Sequence, residues 1–277
     1  MPRHDGPRQR LASSSSTSQR ISQGDILCGI NAVREALQAG TRRITMVWVA
    51  ERKSTPRISE LLTLATDRGI RVESKSEVHL TAIAGTANHQ GVVAFAAQRM
   101  PLTLEDLLDR LTSRVPVPPI AVLDGVMDPR NLGAVIRSAA AFGIGGVVLR
   151  THRAVGVTAT VAKAAAGGLE YVATAAVSNI SQSLERLKKH GFWVVGTDED
   201  ADVTCHTFDF PSPLALVFGE EEKGISPLVK RHCDVLVRIP VVGPLRSLNV
   251  AVAAGVLFYA VTCHGEGLPS RLPCRLP

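Results

Sequence analysis

Asn131, Arg137, Glu221, Ser247 and Asn249 are the side chains best suited by type and spacing to do chemistry. They belong to three polar segments rich in Gly or Pro, 124–133, 218–224 and 239–249, each directly after an apolar run, with Arg137 six residues beyond Asn131. A carboxylate such as Glu221 can accept a proton or orient a cation. Arginine is an awkward base because its pKa exceeds about 12, but it can bind a phosphate and stabilise a developing alkoxide. Each residue also has a plainer reading. Arg137 follows an apolar stretch and could be a solvated arginine on the outer face of a helix. Glu221 is the middle of a run of three glutamates, which usually means surface. Asn131 could be a helix N-cap, and Ser247 could cap the helix after it. Asn249 falls just inside that helix, where Asn has poor propensity, which favours a hydrogen bond in a site. Ile239 and Leu248 are most simply core.

Several chemistries are excluded. No G-x-G-x-x-G follows the first strand of the second half, and Gly219 and Gly224 have P-loop spacing but with Ile225 where Lys belongs. The five cysteines (Cys28, Cys205, Cys233, Cys263, Cys274) are odd in number, with no C-x-x-C and no paired Cys/His spacing. This argues against a disulfide scaffold and structural zinc, and fits a reducing compartment; no metal site is expected. The longest apolar run, 250–263, is shorter than the roughly 20 residues a bilayer requires, so no membrane span is expected. Residues 1–23 contain four consecutive serines and several arginines without an apolar core segment, which predicts a disordered tail in a cytoplasmic protein. A mitochondrial transit peptide, and hence the mitochondrial matrix, is the alternative.

The elements that must position these residues alternate. Residues 31–39 and 56–68 read as helices and 44–49, 70–72 and 91–97 as strands, giving a small α/β unit over 24–99. A helix at 103–111 and the proline-rich stretch at 115–119 lie in a connector, 100–119. Strands at 120–124, 146–149, 192–196, 214–218 and 235–239 then alternate with helices at 132–142, 158–166, 181–190, 227–232 and 248–263. Continuous apolar strands alternating with helices imply a parallel sheet covered on both faces over 120–265, before a C-terminal tail, 266–277. Ligands bind outside the C-terminal ends of such strands, where all three polar segments fall. The charge is uneven: residues 1–99 hold 14 Lys/Arg and 8 Asp/Glu, whereas residues 100–277 hold 17 of each. A basic unit joined to a neutral α/β domain suits a nucleic-acid module on a catalytic domain.

The three segments together resemble the SpoU/TrmH family of RNA 2′-O-methyltransferases. The first motif is matched by Asn131 and Gly133 with Arg137 and Ala140, the second by Phe218, Gly219, Glu221 and Gly224, and the third by Ile239, Pro240, Gly243, Ser247, Leu248, Asn249 and Val250. Gly29 to Val33 and His89 to Val93 look like the RlmB-type branch, which methylates guanosine in large-subunit ribosomal RNA, and the resemblance runs over residues 24–264. It implies S-adenosylmethionine as cofactor, held by Gly219, Ile239, Leu248, Ser247 and Asn249. It also implies Arg137 as the catalytic residue near the ribose, with Asn131, Glu221 and Asn249 beside it. It corrects the fold reading, since pattern alone leads to an ordinary doubly wound sheet. The family has a C-terminal trefoil knot, a homodimeric assembly and, in this branch, an added L30e-like substrate-binding domain. Glu220, Glu222 and Ala251 depart from the family's pattern.

In the basic unit, Arg34, Arg42, Arg43, Arg52, Lys53 and Arg57 are the expected phosphate contacts, with His89 and Gln90 reaching RNA from a loop. Aromatic residues make up 4% of the chain, so shape and phosphate contacts should outweigh base stacking. Two other readings stay open: a transfer-RNA methyltransferase of the same family, and a catalytically silent RNA-binding protein on this fold. A small-molecule α/β enzyme is disfavoured by the missing dinucleotide fingerprint.

Overall fold

The computed structural model describes residues 24–51, 53–151, 157–244 and 247–264. The expected tails, 1–23 and 266–277, and Arg52 lie outside the described residues. The first unit runs β1 (Gly24–Cys28), α1 (Ile30–Ala39), β2 (Ile44–Ala50), α2 (Pro56–Asp67), β3 (Arg71–Lys75), α3 (Glu77–Ala84) and β4 (Val92–Ala97). Its sheet has the order β1-β4-β2-β3, with β2 and β3 parallel and the other pairs antiparallel. Val33, Ala36 and Leu37 of α1 pack with Ile58, Leu61 and Ala65 of α2 in one apolar cluster, and Leu80 of α3 with Ala50 and Val93 in a smaller one.

The second unit runs α4 (Leu104–Thr112), β5 (Ile120–Leu123), α5 (Pro129–Ala141), β6 (Gly146–Arg150), α6 (Ala159–Ala165), a 3₁₀ turn (Gly168–Glu170), β7 (Ala173–Val177), α7 (Ile180–Lys189), β8 (Trp193–Thr197), β9 (Val203–Thr204), β10 (Leu214–Phe218), α8 (Pro227–His232), β11 (Val235–Arg238) and α9 (Val250–His264). The seven strands form one parallel sheet in the order β7-β6-β5-β10-β8-β11-β9. Every residue of β5 and β10 is buried, as expected of strands covered on both faces. The side-chain period of two divides them between layers. Ala121, Leu123, Leu216 and Phe218 join α5, α6 and α9, whereas Ile120, Val122, Ala215 and Val217 join α4, α7 and α8.

The structure corrects the domain reading at one point. The stretch expected to be a connector contains α4, whose Leu104, Leu107, Leu108 and Leu111 are all buried against the parallel sheet. Leucines spaced i, i+3, i+4 and i+7 form an apolar stripe that has to be covered, so α4 belongs to the core of the second unit. β1, α3, β7 and β9 were not expected from the sequence. Among the described residues no helix is long and apolar enough to cross a membrane.

Candidate functional site

The three polar segments converge at the C-terminal edge of the sheet. After β5, Asp128 caps α5 by accepting from the Arg130 N–H at 2.9 Å, with Pro129 in the first turn. Asn131 is therefore inside the helix and not its cap. After β10 the chain turns back on itself: Glu220 N donates to Gly224 O at 3.1 Å, and Gly224 N to Glu220 O at 2.9 Å. Gly219 has to be glycine here, since a Cβ would lie 1.9 Å from the Gly224 carbonyl carbon. Buried Asp124 ties this hairpin to β5, accepting from Ser226 N at 3.1 Å and Ser226 Oγ at 2.7 Å. Before α9, the cap is Asn249 and not Ser247: its Oδ1 accepts from Ala251 N at 3.0 Å and Val252 N at 3.4 Å.

Capping leaves the Asn249 amide nitrogen free to face the other two segments. Asn249 Nδ2 donates to Asn131 Oδ1 at 3.0 Å and also to Glu221 Oε1. Asn131 Nδ2 donates to the same Glu221 Oε1 at 2.8 Å. One carboxylate oxygen thus gathers two carboxamides, locking the three loops together. A charge-assisted acceptor of this kind makes stronger bonds than a neutral one.

Beside this triad lies a cavity of about 280 Å³, near the small end of the roughly 300–1,000 Å³ usual for ligand pockets. Gly219, Ile239, Ser247 and Leu248, all expected at a cofactor, line it together with Glu221. Asn249 lines instead a shallow groove with Asn131, Ala134 and Ser138 of α5, Phe142 at its C-terminal cap, and Val252, Val256 and Tyr259 of α9. The triad therefore stands between cavity and groove. Sequence reading missed Thr197, Asp198, Glu199 and Asp200, which line the cavity after β8; the rule that ligands sit at C-terminal strand ends points to them. Burial alone would raise the Asp198 carboxyl, but the Lys230 ammonium and the Asp200 N–H outweigh it and hold the pKa below the usual carboxylate range.

Arg137 is not brought to this cavity. It is exposed on the outer ridge of α5 and lines neither cavity nor groove, and its guanidinium meets no acid among the described residues. Glu221, engaged by the two asparagines, does not orient it within one chain.

The expected RNA contacts divide. Arg43, Lys53 and Arg57 are exposed, with Lys53 also 3.4 Å from Glu77. Arg34 is half-exposed and pairs with Glu35 at 3.0 Å. Arg42 is a correction: its side chain is 7% exposed and is spent on Asp25 and Glu170. His89, 3% exposed, is another. Gly91 N–H donates to its Nδ1 at 3.0 Å and Thr81 Oγ1 meets its Nε2 at 3.1 Å, so the ring braces a loop. Gln90 Oε1 accepts from Ile30 N at 3.0 Å, supplying the N-terminal cap of α1 that Gly29 has no side chain to provide.

Comparison with known proteins agrees with this geometry. The SpoU rRNA Methylase family matches residues 118–259, and a family described as RNA 2′-O ribose methyltransferase substrate binding matches residues 26–102. The 23S rRNA (guanosine-2′-O-)-methyltransferase RlmB of Ralstonia nicotianae is 40% identical over 252 residues, covering 91% of this chain and 100% of the relative. RlmB of Pseudomonas putida is 39% identical over 246 residues, 87% of this chain and 97% of its own. The AdoMet-bound rRNA methyltransferase from Sinorhizobium meliloti superposes with a TM-score of 0.66 at 25% identity, covering 89% of this chain and 90% of that one.

Proposed function

From the premise that this chain belongs to the SpoU rRNA methylase family, we propose that it transfers a methyl group from S-adenosylmethionine to the ribose 2′-hydroxyl of a guanosine in large-subunit ribosomal RNA. The observation that carries this reading is the Asn131–Glu221–Asn249 triad, drawn from three loops and standing beside a ligand-sized cavity.

The residues around the cavity fit the cofactor. Ile239, Val241 and Leu248 offer apolar walls to an adenine ring, Gly219 lines the same cavity, and Glu199 and Asp200 suit a cation beside the Asp198–Lys230 pair. When bound, S-adenosylmethionine supplies an electrophilic methyl group on a positively charged sulfur. Arg137 holds a phosphate next to the target ribose and stabilises the attacking oxygen as it loses its proton. Two proton acceptors are at hand: Glu221 Oε2, and an oxygen of the phosphate that Arg137 holds. The exposed Arg43, Lys53 and Arg57 of the first unit supply phosphate contacts that position RNA without reading its sequence.

The proposal includes a homodimer. α9 is apolar on every side, yet Val252, Val256 and Tyr259 face solvent beside Ala134 of α5 and Phe142 at its end. A helix apolar all round is normally buried, and a second copy covering this groove would also reach the Arg137 ridge of α5. It includes the C-terminal trefoil knot and the L30e-like character of the first unit. Ribosomal RNA as substrate implies the cytoplasm, with the mitochondrial matrix as the alternative.

The test is transfer of labelled methyl from S-adenosylmethionine, in the presence of a chelator, to unmodified ribosomal RNA, to transfer RNA, or to neither. Label is expected in ribosomal RNA alone. Label in transfer RNA alone would shift the substrate to the family's other branch. Absence of label throughout would leave a silent RNA-binding protein.

A further inference from the structure

Glu170, in the 3₁₀ turn of the catalytic unit, is a carboxylate 3% exposed whose partners come from the other unit or its exit. Arg42 Nη2 lies 2.8 Å from its Oε1, Arg99 Nη2 lies 3.4 Å from its Oε2, and Thr41 Oγ1 donates to Oε2 at 2.8 Å. Arg99 Nη2 also donates to Thr41 Oγ1 at 2.9 Å, closing the network. The next residue repeats the link, Tyr171 OH donating to Glu35 Oε2 of α1 at 2.8 Å. The opposite side of the same turn lies flat on α5. A Cβ at Gly168 would sit 3.0 Å from Ile136 O and 3.1 Å from Arg137 Cα. The turn is therefore a wedge between the RNA-binding unit and the backbone that carries Arg137.

Docking the units buries this carboxylate together with its cations, so separating them breaks two ion pairs and the Thr41 hydrogen bond at once. Two of the first unit's basic residues are thus spent on docking rather than on RNA. We infer that Glu170 is a positioning residue: through Arg42, Arg99 and Thr41 it fixes the RNA-binding unit against the Arg137-bearing helix, so that RNA held by one presents its ribose to the other. This rests on the reading above that the first unit binds RNA and Arg137 serves the ribose.

The full-length chain carrying Glu170→Ala tests it by single-turnover methyl transfer, RNA and cofactor affinities, and small-angle scattering. Misplacing a reactant by about an ångström can cost on the order of a hundredfold, so the rate at saturating RNA should fall at least about tenfold. Affinities for RNA and cofactor should stay within about threefold, because neither binding surface is touched, and the particle should become more extended. Glu170→Gln, which keeps an acceptor for Thr41 but loses both ion pairs, should fall between. A wild-type rate in Glu170→Ala, or a slow enzyme as compact as the wild type, would overturn the inference. If Glu170→Ala loses cofactor binding by misfolding, the double variant Arg42→Met, Arg99→Ala decides, since it removes both cations that meet Glu170 and leaves the catalytic unit intact. It should show the same split, and a wild-type rate there would sink the idea. A wild-type chain that methylates no RNA defeats the functional reading, whereas the scattering comparison still tests the docking.

Discussion

Asn249 Oδ1 is occupied by the first N–H groups of α9 while its Nδ2 reaches Asn131 and Glu221. The two roles separate by substitution. Serine caps a helix about as well as asparagine, so Asn249→Ser should keep the cap of α9 and lose only the Nδ2 bonds to Asn131 and Glu221. It should still slow methyl transfer sharply, because Glu221 loses a donor; full activity would mean that capping is its only role. Arg137 has no structural partner among the described residues, so its loss should fall on turnover alone. Arg137→Ala is expected to lower the single-turnover rate by about a hundred- to a thousandfold with cofactor affinity unchanged. Arg137→Lys should not restore it if a planar, bidentate grip on phosphate is needed. Near-normal turnover in Arg137→Ala would remove that residue from the mechanism, and lost cofactor binding would assign it a structural role.

Among the elements, His89 makes a prediction the sequence did not suggest. Burial lowers its pKa; Glu77 acts in the opposite direction, and Lys53 and Lys163 add to the lowering. Gly91 N–H can only donate, so His89 Nδ1 must stay unprotonated for that bond to survive. A histidine kept neutral in the fold takes up its proton more readily when unfolded. Stability is therefore complete above the ordinary value of about 6.5 and is lost as pH falls from there through the lowered value of the folded state. The first unit should melt at lower temperature at pH 5.5 than at pH 7.5, and His89→Gln should flatten that slope; an unchanged slope would exclude His89 as its source. The elements that carry the site were legible. β5 and β10 are continuous apolar runs and β11 is three apolar residues closed by Arg238, and Gly, Pro and amide residues mark the loops after them. β7 was not legible because Ala173–Val177 consists mostly of small side chains at a sheet edge, nor was α3, which buries only Leu80. The caps were not legible because each loop offers several good capping residues. Asp128 and Asn249 win through hydrogen bonds that sequence order does not reveal.

For the whole molecule, the charge asymmetry was visible from the sequence, but its use was not. A count of arginines does not separate Arg43, open to solvent, from Arg42, which faces a carboxylate 128 residues away. Nor does it show that Arg137 stands apart from the cavity within one chain, which is why the account needs a second copy. Val256→Glu should leave the fold intact, since Val256 already faces solvent in the single chain, yet it would bury a charge in the proposed interface. Sedimentation should find a monomer with little methyl transfer; a fully active monomer would contradict the homodimer. The central claim is that the acceptor is a ribose oxygen in ribosomal RNA, and it is most directly tested by the identity of the product. Unmodified large-subunit RNA treated with the enzyme and labelled S-adenosylmethionine, then digested to nucleosides and resolved by mass spectrometry, should carry the label in 2′-O-methylguanosine. Label on a base, or none in ribosomal RNA, would contradict it.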